Sequence, residues 1–195
     1  SPKQNLDWSN VVRPRSSSLF SQINTEDGPK QVWTTFGPDQ IDLNWHNPKM
    51  TLEFLNLIIT YLSNGIKWFR LDAVGFIWKE SGTTCLHLPK AHSIVKLLRV
   101  LLNNLLDEGV LITETNVPQK ENLSYLIPND EAHMAYNFPL PPLLLEAIIT
   151  SRADILNSWI FDWPELPYDT TLFNFTASHD GVAVSYTHLT LPTKA

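Results

Sequence analysis

The 195-residue chain has a single cysteine, Cys85. An internal disulfide is therefore excluded, and a lone cysteine is expected to serve as a small core residue. Basic clusters are missing too. Fourteen lysines and arginines are scattered among twenty aspartates and glutamates, for a net charge of −6. That balance argues against a nucleic-acid partner, although a small anion could still bind at a local basic spot. Long apolar runs are also absent. The longest, LLRVLLNNLL and PPLLLEAII, are broken by polar residues well short of the roughly 20 that a membrane-spanning helix needs. No secretory leader pattern opens the chain. A soluble, cytoplasmic protein with no membrane partner is the expectation. His87, His92 and His133 lack metal-ligand spacing and are expected in surface or packing roles. Internal repeats and low-complexity tracts do not stand out.

What is present is an ordinary globular balance, 43% hydrophobic and 17% charged residues, enough for one sizeable core. Seven tryptophans and nine phenylalanines would suit sugar stacking, or any large core. The first residue is Ser1 and not methionine, so the sequence is expected to be a segment of a longer protein.

Residues 1–45 are irregular. VVRPRSSSLF and TEDGPKQVWTTFGPDQ carry Pro, Gly, Ser and Asp clusters around short β-type pieces. A regular pattern follows. Asn47 can cap a helix with Pro48 at its first position, where a missing N–H costs nothing. Leu52, Leu55, Ile58, Ile59 and Leu62 keep helical spacing, and Gly65 is a stop signal. IKWFRLD then reads as a strand, HSIVKLLRVLLNNLL as an amphipathic helix, and VLITE, after Gly109, as a second strand. AHMAYNF and LFNFTAS are expected strands, with PPLLLEAIIT and ADILNSWI as helices between them. Alternating helix and strand, with strands that are apolar runs, predicts an α/β fold with a parallel sheet.

Charges gather at one end of those strands. Along IKWFRLD, Ile66, Trp68, Arg70 and Asp72 share one face. Along VLITE, Val110, Ile112 and Glu114 share a face, and a third strand is expected to run to His179 and Asp180. In parallel α/β folds ligands bind at the carboxyl ends of strands. A single carboxylate there could merely reach solvent. Three, one of them two residues after an arginine, point to chemistry, because burying unpaired carboxylates costs several kcal/mol each. Glycoside transfer uses such groups. One carboxylate attacks the anomeric carbon, and a second protonates the leaving oxygen. Arg70 would keep Asp72 ionised as the nucleophile. Glu114 fits the acid, which must hold its proton near neutral pH.

RLDAVGF, ITETN and ASHDG resemble the second, third and fourth conserved stretches of the α-amylase superfamily, the retaining glucosidases of glycoside hydrolase family 13. VVRPR, VWTTFGPDQIDLN, KESGTTCLHLPK, ITETNVP and YNFPLPPLLL are similar to the sugar phosphorylases of that family. The resemblance implies a partial (β/α)8 barrel of about the fourth to seventh strands. Residues 1–45 would form part of a loop-rich inserted domain and 46–183 the partial barrel. It implies Asp72 as nucleophile, Glu114 as acid/base and Asp180 as the residue that grips sugar hydroxyls. Arg70 would orient Asp72, and His179 would hydrogen-bond the sugar ring. Phe36 and Gln40 would line the acceptor side. Arg13 and Arg15 fall in a stretch near acceptor and phosphate, and a plain surface-charge reading of those two stands beside that role.

The implied activity transfers an α-glucosyl unit from a sucrose- or glucosylglycerate-like glucoside to inorganic phosphate, with no metal or organic cofactor. Hydrolysis or transglucosylation, or an inactive carbohydrate-binding fragment, are the alternatives. His46 departs from the family, because Trp45 intervenes in its Asn-His pair, and it is expected to be a loop histidine. His87 is expected to shape a loop. Asn122-Leu-Ser124 and Asn174-Phe-Thr176 fit the glycosylation pattern by chance. Residues 184–195 read like the translation of a transposase sequencing adapter and are expected to be read-through, so His188 carries no weight.

Overall fold

A computed structural model describes residues 6–105 and 109–179. The chain divides into two compact units. One takes in the chain up to Ile66 together with Ala73–Ile94; the other takes Lys67–Asp72 and the chain from Val95 on.

In the first unit, β1 (Phe20–Thr25) and β2 (Gly28–Trp33) form an antiparallel hairpin, with Thr25 paired to Gly28 across a two-residue loop. Gly28 adopts a φ of 100°, a conformation that is costly for side chains. Trp33 anchors the unit, with Trp8 and Phe20 edge-on to its ring at 5.0 and 5.3 Å. Helix α1 (Pro48–Ser63) starts as the sequence predicts. The Asn47 side chain accepts the Lys49 N–H at 3.1 Å, and Pro48 is the first helical residue. Its apolar stripe is only partly used, since Ile58 is buried while Leu52 stays 60% exposed. Leu55 and Leu62 are half-buried.

After β3 the chain returns to the first unit through a short 3-10 turn, Val74–Phe76, which the sequence reading missed. The loop around it bends through left-handed conformations at three non-glycine residues, Ala73, Cys85 and His87. Such residues cost energy and persist only where packing over-determines them. Here Cys85 is buried, as expected of a core thiol. The His87 ring fills the space where Gly75 lacks a side chain, and a Cβ there would lie 2.5 Å from its Cε1. Burial, helped by the nearby His92, pushes the His87 imidazole down to about 4, so it packs as a neutral ring. His46 is an exposed loop histidine, hydrogen-bonded through Nε2 to the Lys79 carbonyl at 2.6 Å and tilted against Trp78.

Lys79 is the electrostatic centre of this unit. Its ammonium meets Asp42 Oδ2 at 2.6 Å and donates to Thr35 Oγ1 at 3.0 Å. It lies 5.0 Å from the centre of the Trp33 ring. Asp42 also accepts the Thr35 backbone N–H at 2.9 Å, closing residues 35–42 into a loop. Lys79→Met in the complete protein should cost about 3 kcal/mol, because it leaves the largely buried Asp42 carboxylate without its cation. Urea unfolding of the two proteins measures this; a change below about 0.5 kcal/mol, as for a surface pair, would refute it.

In the second unit, β3 (Trp68–Leu71), β4 (Val110–Thr113), β5 (Met134–Tyr136) and β6 (Thr171–Phe173) pair in parallel and in chain order. Helix α2 (Pro89–Leu105) begins in the first unit, where Ala91 and Ile94 are buried, and continues from Val95 in the second, where Val95, Leu98 and Leu102 are buried, a stripe at helical spacing. The short α3 (Gln119–Leu123), not foreseen in the sequence, lies between β4 and β5. Helices α4 (Leu140–Thr150) and α5 (Asp154–Phe161) lie between β5 and β6.

The two sheet faces differ. Phe69, Leu71, Leu111, Thr113 and Ala135 are buried, whereas the opposite face buries Ile112 but is open at Trp68, which is 55% exposed. Arg70 and Thr171 share that open face. Among the described residues no helix is long and apolar enough to cross a membrane.

The fourth strand is shorter than the sequence predicts. It ends at Phe173, whose carbonyl accepts the Asn137 N–H at 3.1 Å as the last rung. His179 therefore sits in a turn beyond the strand, and not at its tip. The aromatic residues of LFNFTAS support a strand locally, but Phe175 turns to pack on Tyr136 and Phe138.

Candidate active site

The open face converges at the carboxyl ends of β3 and β4. Alternation places Arg70 and Asp72 on the same side of β3. Parallel register sets Arg70 beside Ile112, so Glu114, two residues on, reaches the same side. The Glu114 N–H donates to the Leu71 carbonyl at 3.0 Å, which continues the ladder one step past the strand.

One nitrogen then joins the charged groups. Arg70 Nη2 lies 2.9 Å from Asp72 Oδ1 and 2.7 Å from Glu114 Oε1. Those two contacts, laid end to end, bound the separation of the oxygens. That closeness is compatible with a retaining pair, whose carboxyl groups lie about 5–5.5 Å apart.

The two carboxylates sit in different environments. Asp72 is 72% exposed and Glu114 is 13% exposed. Burial, together with the hydrogen bond that its acid form donates to the Asp72 carboxylate, pushes Glu114 above the ordinary glutamate range, against the pull of Arg70. An exposed carboxylate beside one that binds its proton more tightly than usual is the division of labour that acid-assisted displacement requires.

The structure adds a residue that sequence reading missed. Tyr136 ends β5, and the Arg70 guanidinium lies 5.5 Å from the centre of its ring, a cation–π distance. Phe138, Phe173 and Phe175 surround Tyr136 at 4.9–5.5 Å. The reason is lateral register, which no local pattern specifies. Met134 pairs with Ile112, and two residues further along each strand stand Tyr136 and Glu114.

Of the residues singled out in the sequence, Arg70, Asp72 and Glu114 come together in the second unit. His179 is exposed in the same unit, and Asp180 lies outside the described residues. Phe36, half-buried edge-on to Phe76, and the exposed Gln40, Arg13 and Arg15 belong to the first unit. Among the described residues no group of three or more His, Cys, Asp or Glu side chains could hold a metal ion.

Parallel strands in chain order, with a bridged carboxylate pair at their carboxyl ends, define a segment of a (β/α)8 barrel. Residues 24–179 match the alpha-amylase catalytic domain, and the chain belongs to that family. Glucosylglycerate phosphorylase of Allomeiothermus silvanus is 48% identical over 179 residues, which is 91% of this chain and 32% of that protein. Sucrose phosphorylase of Bifidobacterium adolescentis is 27% identical over 183 residues, 91% of this chain and 33% of that one. The crystal structure of sucrose 6F-phosphate phosphorylase from Thermoanaerobacter thermosaccharolyticum shares the fold, with a TM-score of 0.69 and 24% identity. It covers 81% of this chain and 32% of that one. The chain thus spans about a third of the length of these proteins.

Proposed function

We propose that this chain is part of a retaining glycoside phosphorylase that moves an α-glucosyl unit from a glucoside to inorganic phosphate. The observation that carries the reading is Arg70 bridging an exposed Asp72 and a largely enclosed Glu114 whose proton is held more tightly than usual. Asp72 attacks the anomeric carbon as the glycosidic C–O bond breaks, and the Glu114 proton passes to the leaving oxygen. A phosphate oxygen then attacks the same carbon, Asp72 is released, and the phosphate proton returns to Glu114. Two inversions yield α-glucose 1-phosphate and the acceptor alcohol.

Asp180 and His179 are assigned to the sugar, and Phe36, Gln40, Arg13 and Arg15 to the acceptor and phosphate side, on the family resemblance. Residues 1–45 are read as part of an inserted domain, 46–183 as barrel and 184–195 as adapter read-through. Glucosylglycerate is the favoured donor, because identity to a glucosylglycerate phosphorylase far exceeds that to a sucrose phosphorylase.

The complete reading frame, expressed and supplied with glucosylglycerate, should release glucose 1-phosphate only when phosphate is present. Free glucose released without phosphate would instead support a hydrolase. The 195-residue chain alone is expected to be poorly stable and inactive, because β3 and β6 are unpaired sheet edges among the described residues and Ile148, Ile149 and Phe161 are more than 70% exposed. Robust phosphorolysis by that chain would overturn this expectation.

A further inference from the structure

We propose that Asn122 is a positioning residue for Glu114, acting through Thr115. The inference rests on the reading of Glu114 as the proton donor.

The ladder between β4 and β5 stops at Thr113 and Ala135. Just beyond, where the acid is carried, the side chain of Asn122 spans the two strands. Its Oδ1 accepts the Thr115 hydroxyl at 2.6 Å, and its Nδ2 donates to the Tyr136 carbonyl at 2.9 Å. Asn122 and Thr115 are only 3% and 4% exposed. Hydrogen bonds in such a dry setting are strong, and costly to leave unmade.

These contacts close a circuit. Thr115 directly follows Glu114. The ring of Tyr136 lies against the Arg70 guanidinium, and Arg70 holds both Glu114 and Asp72. One buried amide therefore sets the exit of β4 against the tip of β5, with the acid between the two anchors. Burial also explains the glycosylation pattern at this residue: an amide enclosed in this way is not a sugar acceptor. Neither the alternation along β4 nor the composition of α3 demands an asparagine here. The demand comes from one donor and one acceptor that face each other across the sheet.

A misplaced acid slows formation of the glucosyl-enzyme only where the leaving group needs its proton. The test is to compare, in the complete enzyme, a glucoside donor with α-glucosyl fluoride, whose fluoride departs without a proton. In Asn122→Ala the kcat/KM for glucosylglycerate should fall about ten- to a hundredfold, the scale of a small misplacement of a reacting group. The kcat/KM for the fluoride, which reports only formation of the glucosyl-enzyme, should change by less than about threefold, because that step does not draw on general-acid catalysis. Thr115→Val removes only the hydroxyl and should show the same split, so the comparison survives if Asn122→Ala does not fold. Equal losses with both donors would mark Asn122 as a purely structural residue and overturn the proposal, and so would no loss with either. A wild-type enzyme that turns over neither donor refutes the phosphorylase reading, and this inference with it.

Discussion

Asp72→Asn in the complete enzyme is expected to abolish glucosyl transfer, with kcat/KM lower by about 10⁴-fold or more, as when a covalent nucleophile is removed elsewhere. Asparagine nearly preserves the shape and can still face Arg70. What it lacks is a charged oxygen able to form the glycosyl ester. The loss should extend to α-glucosyl fluoride, because every donor must form the same covalent intermediate. Mass spectrometry of the enzyme with the fluoride, in the absence of phosphate, reads this directly. The native protein should gain the mass of one glucosyl unit and the variant should not. A variant within about tenfold of the native rate would remove Asp72 from the chemistry, since the loss of a mere positioning contact already costs that much or more. The substitution also removes a negative charge that helps hold the proton on Glu114.

Glu114→Gln should discriminate between donors. With glucosylglycerate the loss is expected at about 10²–10⁴-fold, the usual value of general-acid assistance. With the fluoride it should be far smaller. The pH dependence gives an independent signature. Burial, the first cause of the shift, raises Glu114 above the ordinary glutamate range. The acid form therefore persists to higher pH, and activity falls as pH rises through the raised value. That alkaline limb should vanish in the glutamine variant.

Stability follows the same sign. A group held more protonated in the folded state contributes fully below its unfolded value, and that contribution is lost as pH rises through the folded one. Denaturation of the native enzyme should show stability falling with pH just above the ordinary glutamate range, and Glu114→Gln should flatten that slope. An unchanged slope, or an alkaline limb that survives the substitution, would assign the acid to another group.

Much of this was legible residue by residue. Asn47 and Pro48 announced the start of α1, and they cap it as written. The stripe through Val95, Leu98 and Leu102 announced a helix with one buried face. The RLDAVGF and ITETN stretches pointed to Asp72 and Glu114 before any coordinates. Other features were not legible. LFNFTAS is rich in strand-forming residues, yet only its start joins the sheet. Phe175, just past the strand, instead packs into an aromatic cluster that no local pattern specifies. Asn122 looked like a chance modification motif, because its partners lie seven and fourteen residues away.

The sequence by itself determined which residues could share a face, because side-chain direction along a strand or helix is a local, periodic property. It put Arg70 with Asp72, and Ile112 with Glu114. Only the tertiary structure decided that one guanidinium would hold both carboxylates, that Tyr136 would lie against it, and that Asn122 would bind the two strand ends together. These relations depend on the lateral register of β3, β4 and β5. Register is set by the packing of whole strands far apart in sequence, and no stretch of the chain carries it alone.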